Sequence, residues 1–147
     1  MRSLADIAAI VVGVAALLAA LVGAWRWWTV APSRTFWVMC RTAQGLAVAE
    51  AVLAGVLYLA GFHPSDGLYW LYALLPVAVS FVGEQLRILS AQTVLDARGL
   101  EDAQAVGRLP EDGQRSVVLA IVRREMGIMT LACAVIVFLA LRALGTT

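Results

Sequence analysis

The sequence predicts an all-α integral membrane protein, a four-helix bundle with both termini on the extracytoplasmic side. Three observations carry that reading. Of 147 residues, 62% are hydrophobic and only 14% charged, against about 45–50% and about 25% in ordinary soluble domains. Four stretches stay apolar over the roughly 20 residues that a helix needs to cross a bilayer core. The arginines gather on one side of those stretches. A soluble chain of this length makes one domain at most, whose core could not hide this much apolar surface.

The first helix is expected over about 4–28, with no charge between Asp6 and Arg26. Arg2 and the small-residue run Val22-Gly23-Ala24 have the look of a cleaved signal peptide. The apolar region, however, exceeds the usual 7–15 or so residues, and Asp6 stands where a signal is basic. Charge decides between the two. Arg26, Arg34 and Arg41 flank the first connection, and Arg87, Arg98, Arg108, Arg115, Arg123 and Arg124 flank the third. The opposite side has only Arg2 and Arg142. With all four helices kept, the positive-inside rule puts both arginine-rich connections in the cytoplasm. A cleaved signal would export most of the arginines, so the first helix is expected to be retained.

The second helix is expected over about 36–62 and the third over about 68–98. The Gly- and Pro-punctuated turn from Gly61 to Gly67 joins them as an antiparallel hairpin. Trp25, Trp27, Trp28 and Trp37 gather at the cytoplasmic ends of the first two helices, and Tyr58, Tyr69, Trp70 and Tyr72 near the other interface. These are two belts of interfacial anchors. The last helix is expected over about 110–144, because proline is tolerated in a first turn and the acids after it favour the dipole. The connection at about 90–116 is then the only sizeable part outside the bilayer. Its alternating Asp96, Arg98, Glu101, Asp102, Arg108, Glu111, Asp112 and Arg115 read as a solvated face, with docking of a cytoplasmic partner as the sharper alternative. Residues 1–147 therefore read as a single transmembrane domain.

Small residues recur at close-packing intervals, Ala9, Gly13, Ala16, Ala20 and Gly23 in the first helix and Ala43, Ala47, Ala51 and Gly55 in the second. Such faces let helices approach where no hydrophobic effect drives them together. A face left over would serve a homo-oligomer or a membrane-protein partner. Within the bundle, depth and helical phase bring Arg41 to Glu84, with Gln44 and Ser80 in support. Arg87, three residues along the same helix, competes for Glu84, and Arg123 is a third candidate. Pro76 frees a carbonyl about a turn earlier, and a kink is expected there.

Glu50 is different. It stands near mid-depth, roughly 180° around the second helix from Arg41 at 100° per residue. No arginine is placed to meet it. A carboxylate at that depth costs roughly 2.5–3.5 kcal/mol on insertion scales, so an isolated Glu50 is expected in its neutral form. Three readings stand. Glu50 is a hydrogen-bonded clip to a backbone carbonyl or a tyrosine; it faces a cavity and exchanges protons or binds a cation; or it completes a site with another subunit.

Other chemistry is sparse. His63, the one histidine, is in the hairpin turn without neighbours that would make it a metal or haem ligand. Cys40 and Cys133 are on different helices with no CxxC or Cys/His spacing, so no zinc site or redox dithiol is supported and both read as packing residues. No metal or cofactor is expected. The HExxH, P-loop, GxSxG and GxGxxG patterns are absent, and the chain is not expected to be an enzyme. Metal chemistry at the acids between Asp96 and Asp102 is the one route left open. A net charge of +1 argues against nucleic-acid binding. All eleven basic residues are arginine, which suggests a GC-rich bacterial genome and hence a bacterial inner membrane.

Two functions follow. The first is a non-enzymatic accessory or interaction subunit, working through lipid or protein contacts. The second is a small cation- or proton-coupled transporter that uses Glu50. Four-helix size and a lone membrane glutamate make the chain similar to the small multidrug transporters. That similarity covers no motif and has the glutamate in the second helix rather than the first. The arginine bias also opposes the dual orientation common in that group.

Overall fold

Four helices are long and apolar enough to span a membrane. The computed structural model describes all 147 residues. The helices are α1 (Arg2–Thr29), α2 (Arg34–Leu59), α3 (Leu68–Ala97), a short α4 (Ala103–Gly107) and α5 (Glu111–Leu144), with no strand. α1 ends where Val30 turns left-handed, φ 49°, and the N–H of Ala31 returns to the Arg26 carbonyl at 3.1 Å. Ser33 then opens α2, its Oγ accepting the N–H of Phe36 at 3.2 Å. A side-chain acceptor there satisfies one of the orphan donors of a helix start.

α2 stops at Leu59, short of the expected Phe62. Gly61 takes a left-handed conformation, φ 79°, which glycine adopts without steric cost. The N–H of Phe62 returns to the Leu57 carbonyl at 2.9 Å. Phe62 thereby folds under the bundle, edge-on to Tyr69 at 5.7 Å. α3 stays one helix through Pro76. α5 begins after Pro110 with Glu111 and Asp112 in its first turn and has Arg142 in its last, both signs favourable to the helix dipole.

The buried positions explain the packing. In α1 they are Ala5, Ala9, Val12, Ala16, Ala19 and Gly23; in α2 they are Phe36, Cys40, Ala43, Ala47, Glu50, Ala54 and Leu57. Both sets alternate steps of four and three. That 3.5-residue repeat keeps one seam turned to its neighbours in a left-handed bundle. α3 follows it through Tyr69, Ala73, Pro76, Ser80 and Gly83. α5 is buried on two sides, against α1 and against α3, while α2 closes the ring on the diagonal from α5. Consecutive long helices are neighbours, the up-down-up-down arrangement of short-looped bundles.

The expected small-residue face of α2 needs correction. A row stepping by four drifts about 40° per step around a 3.6-residue helix. So Ala43 and Ala47 are buried, Ala51 is half-buried, and Gly55 is exposed. In α1, Ala9, Ala16 and Gly23 are buried, and Gly13 and Ala20 are half-buried. The expected α1 face does hold close approaches: a Cβ on Gly13 would stand 3.2 Å from Ala140 Cβ, and one on Gly23 would run into Thr130 and the Phe36 ring; on α3, one on Gly83 would stand 3.2 Å from Ala132 Cβ.

Three apolar clusters stack along the bundle. Ala54, Leu57, Phe62 and Tyr69 fill the end that carries both termini. Val12, Ala16, Ala47 and Ile136 fill the middle. Phe36, Cys40, Met126, Met129 and Cys133 fill the arginine-rich end. The terminal end is tied shut, since the N–H of Asp66 donates to the Thr146 carbonyl at 3.2 Å and Thr147 Oγ1 donates to Asp6 Oδ1 at 2.5 Å. Outward faces are apolar, with Ile10, Leu18, Val52, Phe81, Leu131 and Phe138 all exposed.

Candidate functional site

Glu50 stands on the buried seam of α2, three residues past Ala47 and four before Ala54, so its side chain turns into the bundle. It is about 14 Å from the Leu59 end of α2 and about 24 Å from the Arg34 end at 1.5 Å per residue. Only 3% of it is exposed. Both carboxyl oxygens are buried without a hydrogen-bond partner. No carbonyl or tyrosine hydroxyl bonds either oxygen, so the clip is not made. Tyr69, the nearby aromatic of the terminal cluster, does not bond it.

Glu50, its two oxygens covered, borders a groove of about 240 Å³ between α1 and α2, walled by Leu4, Ile7, Ala8 and Val11 of α1 and by Leu46 and Leu53 of α2. Leu4, Ile7 and Val11 are exposed on the outside of the bundle. A covered carboxyl thus lies beneath an apolar groove that opens sideways. An unsatisfied buried polar group costs about 1–3 kcal/mol, and more when charged. The arrangement suits a visitor with an apolar body and a donor or positive charge at its tip.

Toward the arginine-rich end the polar residues satisfy one another. Arg41 donates to both oxygens of Glu84, at 2.7 and 3.1 Å. Gln44 Nε2 donates to Glu84 Oε1 at 3.1 Å and accepts from Arg41 at 2.9 Å. Arg87 Nε donates to Glu84 Oε2 at 3.1 Å. The structure brings Arg41, Gln44, Glu84 and Arg87 together; it does not bring Ser80. Ser80 Oγ donates instead to the Pro76 carbonyl at 2.8 Å, since it is a turn deeper and its own helix offers the nearer acceptor. Arg123 is exposed and outside the layer.

Sequence reasoning missed two members. Glu125 of α5 is 3.9 Å from Arg87 Nη1, and the Trp37 ring lies under the Arg87 guanidinium at 5.3 Å. Glu125 had a signal, as the one acid of α5 beyond its first turn, but no expectation from sequence included it. The layer is a structural lock with a measurable share of stability. Glu84→Gln is expected to cost about 1–2 kcal/mol, because charge-assisted bonds from three side chains are weakened together. Arg41→Ala is expected to cost under about 1 kcal/mol, its guanidinium being half exposed. Unfolding of the two variants by titration with a denaturing detergent measures both.

The remaining candidates stay apart. His63 is exposed in the α2–α3 turn. In the connection, Arg98 donates to Ser116 at 3.0 Å and Gln92 to Asp96 at 3.0 Å. No three histidine, cysteine or acidic side chains converge. Cys40 and Cys133, far apart in sequence, have their sulfurs 3.7 Å apart in the core as free thiols. Comparison of the chain with protein-family models, with curated proteins and with solved structures finds no match.

Proposed function

We propose that this is a bacterial inner-membrane protein, both termini outside, that binds a lipophilic organic cation at Glu50 in exchange for a proton. The observation that carries the reading is the buried carboxyl with neither oxygen bonded, beneath a groove open on the apolar flank. Intramembrane ionisable groups are functional by default, and a structural clip would have shown its partner. The orientation rests on the positive-inside rule, which favours the arginine-rich end in the cytoplasm. In a bilayer the groove opens to the acyl chains, so an apolar cation partitioned into lipid has a direct path to it. Its charge then replaces the proton on Glu50.

The test is proton release in weak buffer when tetraphenylphosphonium or a long-chain alkylamine is added to the protein in lipid nanodiscs. Wild type is expected to release a proton for each cation bound, and Glu50→Gln is expected to release none. A correctly folded wild type that binds neither probe would remove this reading. A second reading, an accessory subunit whose partner helix brings a donor to Glu50, is favoured by the same sideways opening. It predicts that a photo-crosslinker at Val11 captures one defined membrane protein, and that Glu50→Gln abolishes the capture.

A further inference from the structure

We propose that Cys40, Cys133 and the thioether of Met129 form a binding site for a soft monovalent metal ion of the Cu(I) type. The site is separate from Glu50, which stands on the same helix about 15 Å further along the axis. α2 and α5 lie on the diagonal of the bundle, and the two thiols meet across its centre, each only 1% exposed. Their sulfur separation is 3.7 Å. With metal–sulfur bonds of about 2.3 Å, two sulfurs sharing a three- or four-coordinate ion stand about 3.8–4.0 Å apart. An ion therefore fits between the thiols with almost no movement. A disulfide needs the sulfurs at about 2.05 Å.

The surroundings supply the right donors. Met126 and Met129 belong to the same fully buried cluster as both cysteines. Met129 is one turn before Cys133, hence on the same face of α5. Thiolates and thioethers select Cu(I) over harder ions, and no histidine or carboxylate converges with the pair to suit a different metal. Charge is accommodated too. Two thiolates and one Cu(I) carry a net negative charge, and Arg41 follows Cys40 directly, while Arg87 lies over Trp37, one turn from Cys40. In binding, each S–H gives its proton to solvent and a Cu–S bond replaces it. No oxidation state changes.

The test is anaerobic titration of the full chain in detergent with Cu(I), against a chromophoric bicinchoninate competitor. Wild type is expected to take one Cu(I) per chain, with sulfur-only scattering in the copper X-ray absorption spectrum. Cys40→Ser and Cys133→Ser are each expected to weaken binding at least 100-fold, and Met129→Leu roughly tenfold, the range typical of ligand and near-ligand losses. Cys40→Ala and Cys133→Ala, which keep the core apolar, serve if a serine variant does not fold. Cu(I) affinity unchanged in a Cys40→Ala/Cys133→Ala double variant would overturn the proposal. So would a reduced wild type that takes no Cu(I), including one that forms the intramolecular disulfide in air.

Discussion

Glu50→Leu is expected to make the bundle more stable, by about 1–3 kcal/mol, the penalty carried by a buried polar group without a partner. Most substitutions at buried positions destabilise, so the sign is the informative part. Leucine is close to glutamate in size and would turn the groove base into continuous hydrocarbon with Leu46, Leu53 and Val11. Glu50→Gln is expected to be near neutral, because it leaves an equally unsatisfied amide in place. Glu50→Lys is expected to be the worst of the three, adding length and a charge that is harder to discharge. Detergent-titration midpoints order the variants. A Glu50→Leu variant that unfolds earlier than wild type would mean that the carboxyl has a stabilising partner, and the binding reading would lose its ground. If leucine stabilises and also abolishes proton release, the chain is keeping a costly group for use, the usual exchange of stability for function at a site.

Much of this was legible in the sequence, and the reason differs by element. Helices of 26 to 34 residues leave a hydropathy signal too long to mistake. Their neighbours follow from short connections. What escaped was phase. The small-residue row of α2 was read in steps of four, whereas the bundle buries alternating steps of four and three, which is why Ala54 is inside and Gly55 outside. The 3.5-residue seam puts Glu50 in the same row as Ala43, Ala47 and Leu57. From sequence, Glu50 is placed only by its phase opposite Arg41, and that row goes undrawn. The Cys40–Cys133 meeting was not legible at all, since it crosses the diagonal of the bundle, and no sequence interval encodes which residues two non-adjacent helices share. The docking of Thr146 and Thr147 on the α2–α3 turn is equally non-local.

Gly23→Ala is expected to cost about 2–3 kcal/mol, the upper part of the range for overpacking a dense core. Gly23 is where α1, α2 and α5 meet: an added Cβ would run into Thr130 Oγ1 and the Phe36 ring. Phe36 is fully buried and has nowhere to swing, so the methyl group must push α1 away from α2 as well as from Thr130 on α5. The control is Gly55→Ala, with nothing within 4 Å of the new Cβ; there the helix-interior preference for alanine should stabilise by about 0.5–1 kcal/mol. The same chemical change thus has opposite signs on two helices of one chain, which separates packing from propensity. Thr130 supplies a second arm. Its Oγ1 is buried without a hydrogen-bond partner, so Thr130→Ala should be mild by itself and should recover part of the loss in the Gly23→Ala background. Coupling between residues in contact runs to about 0.5–3 kcal/mol. Additive losses in the double variant would place the strain on Phe36 alone, and the helix that gives way would then be α2 rather than α5.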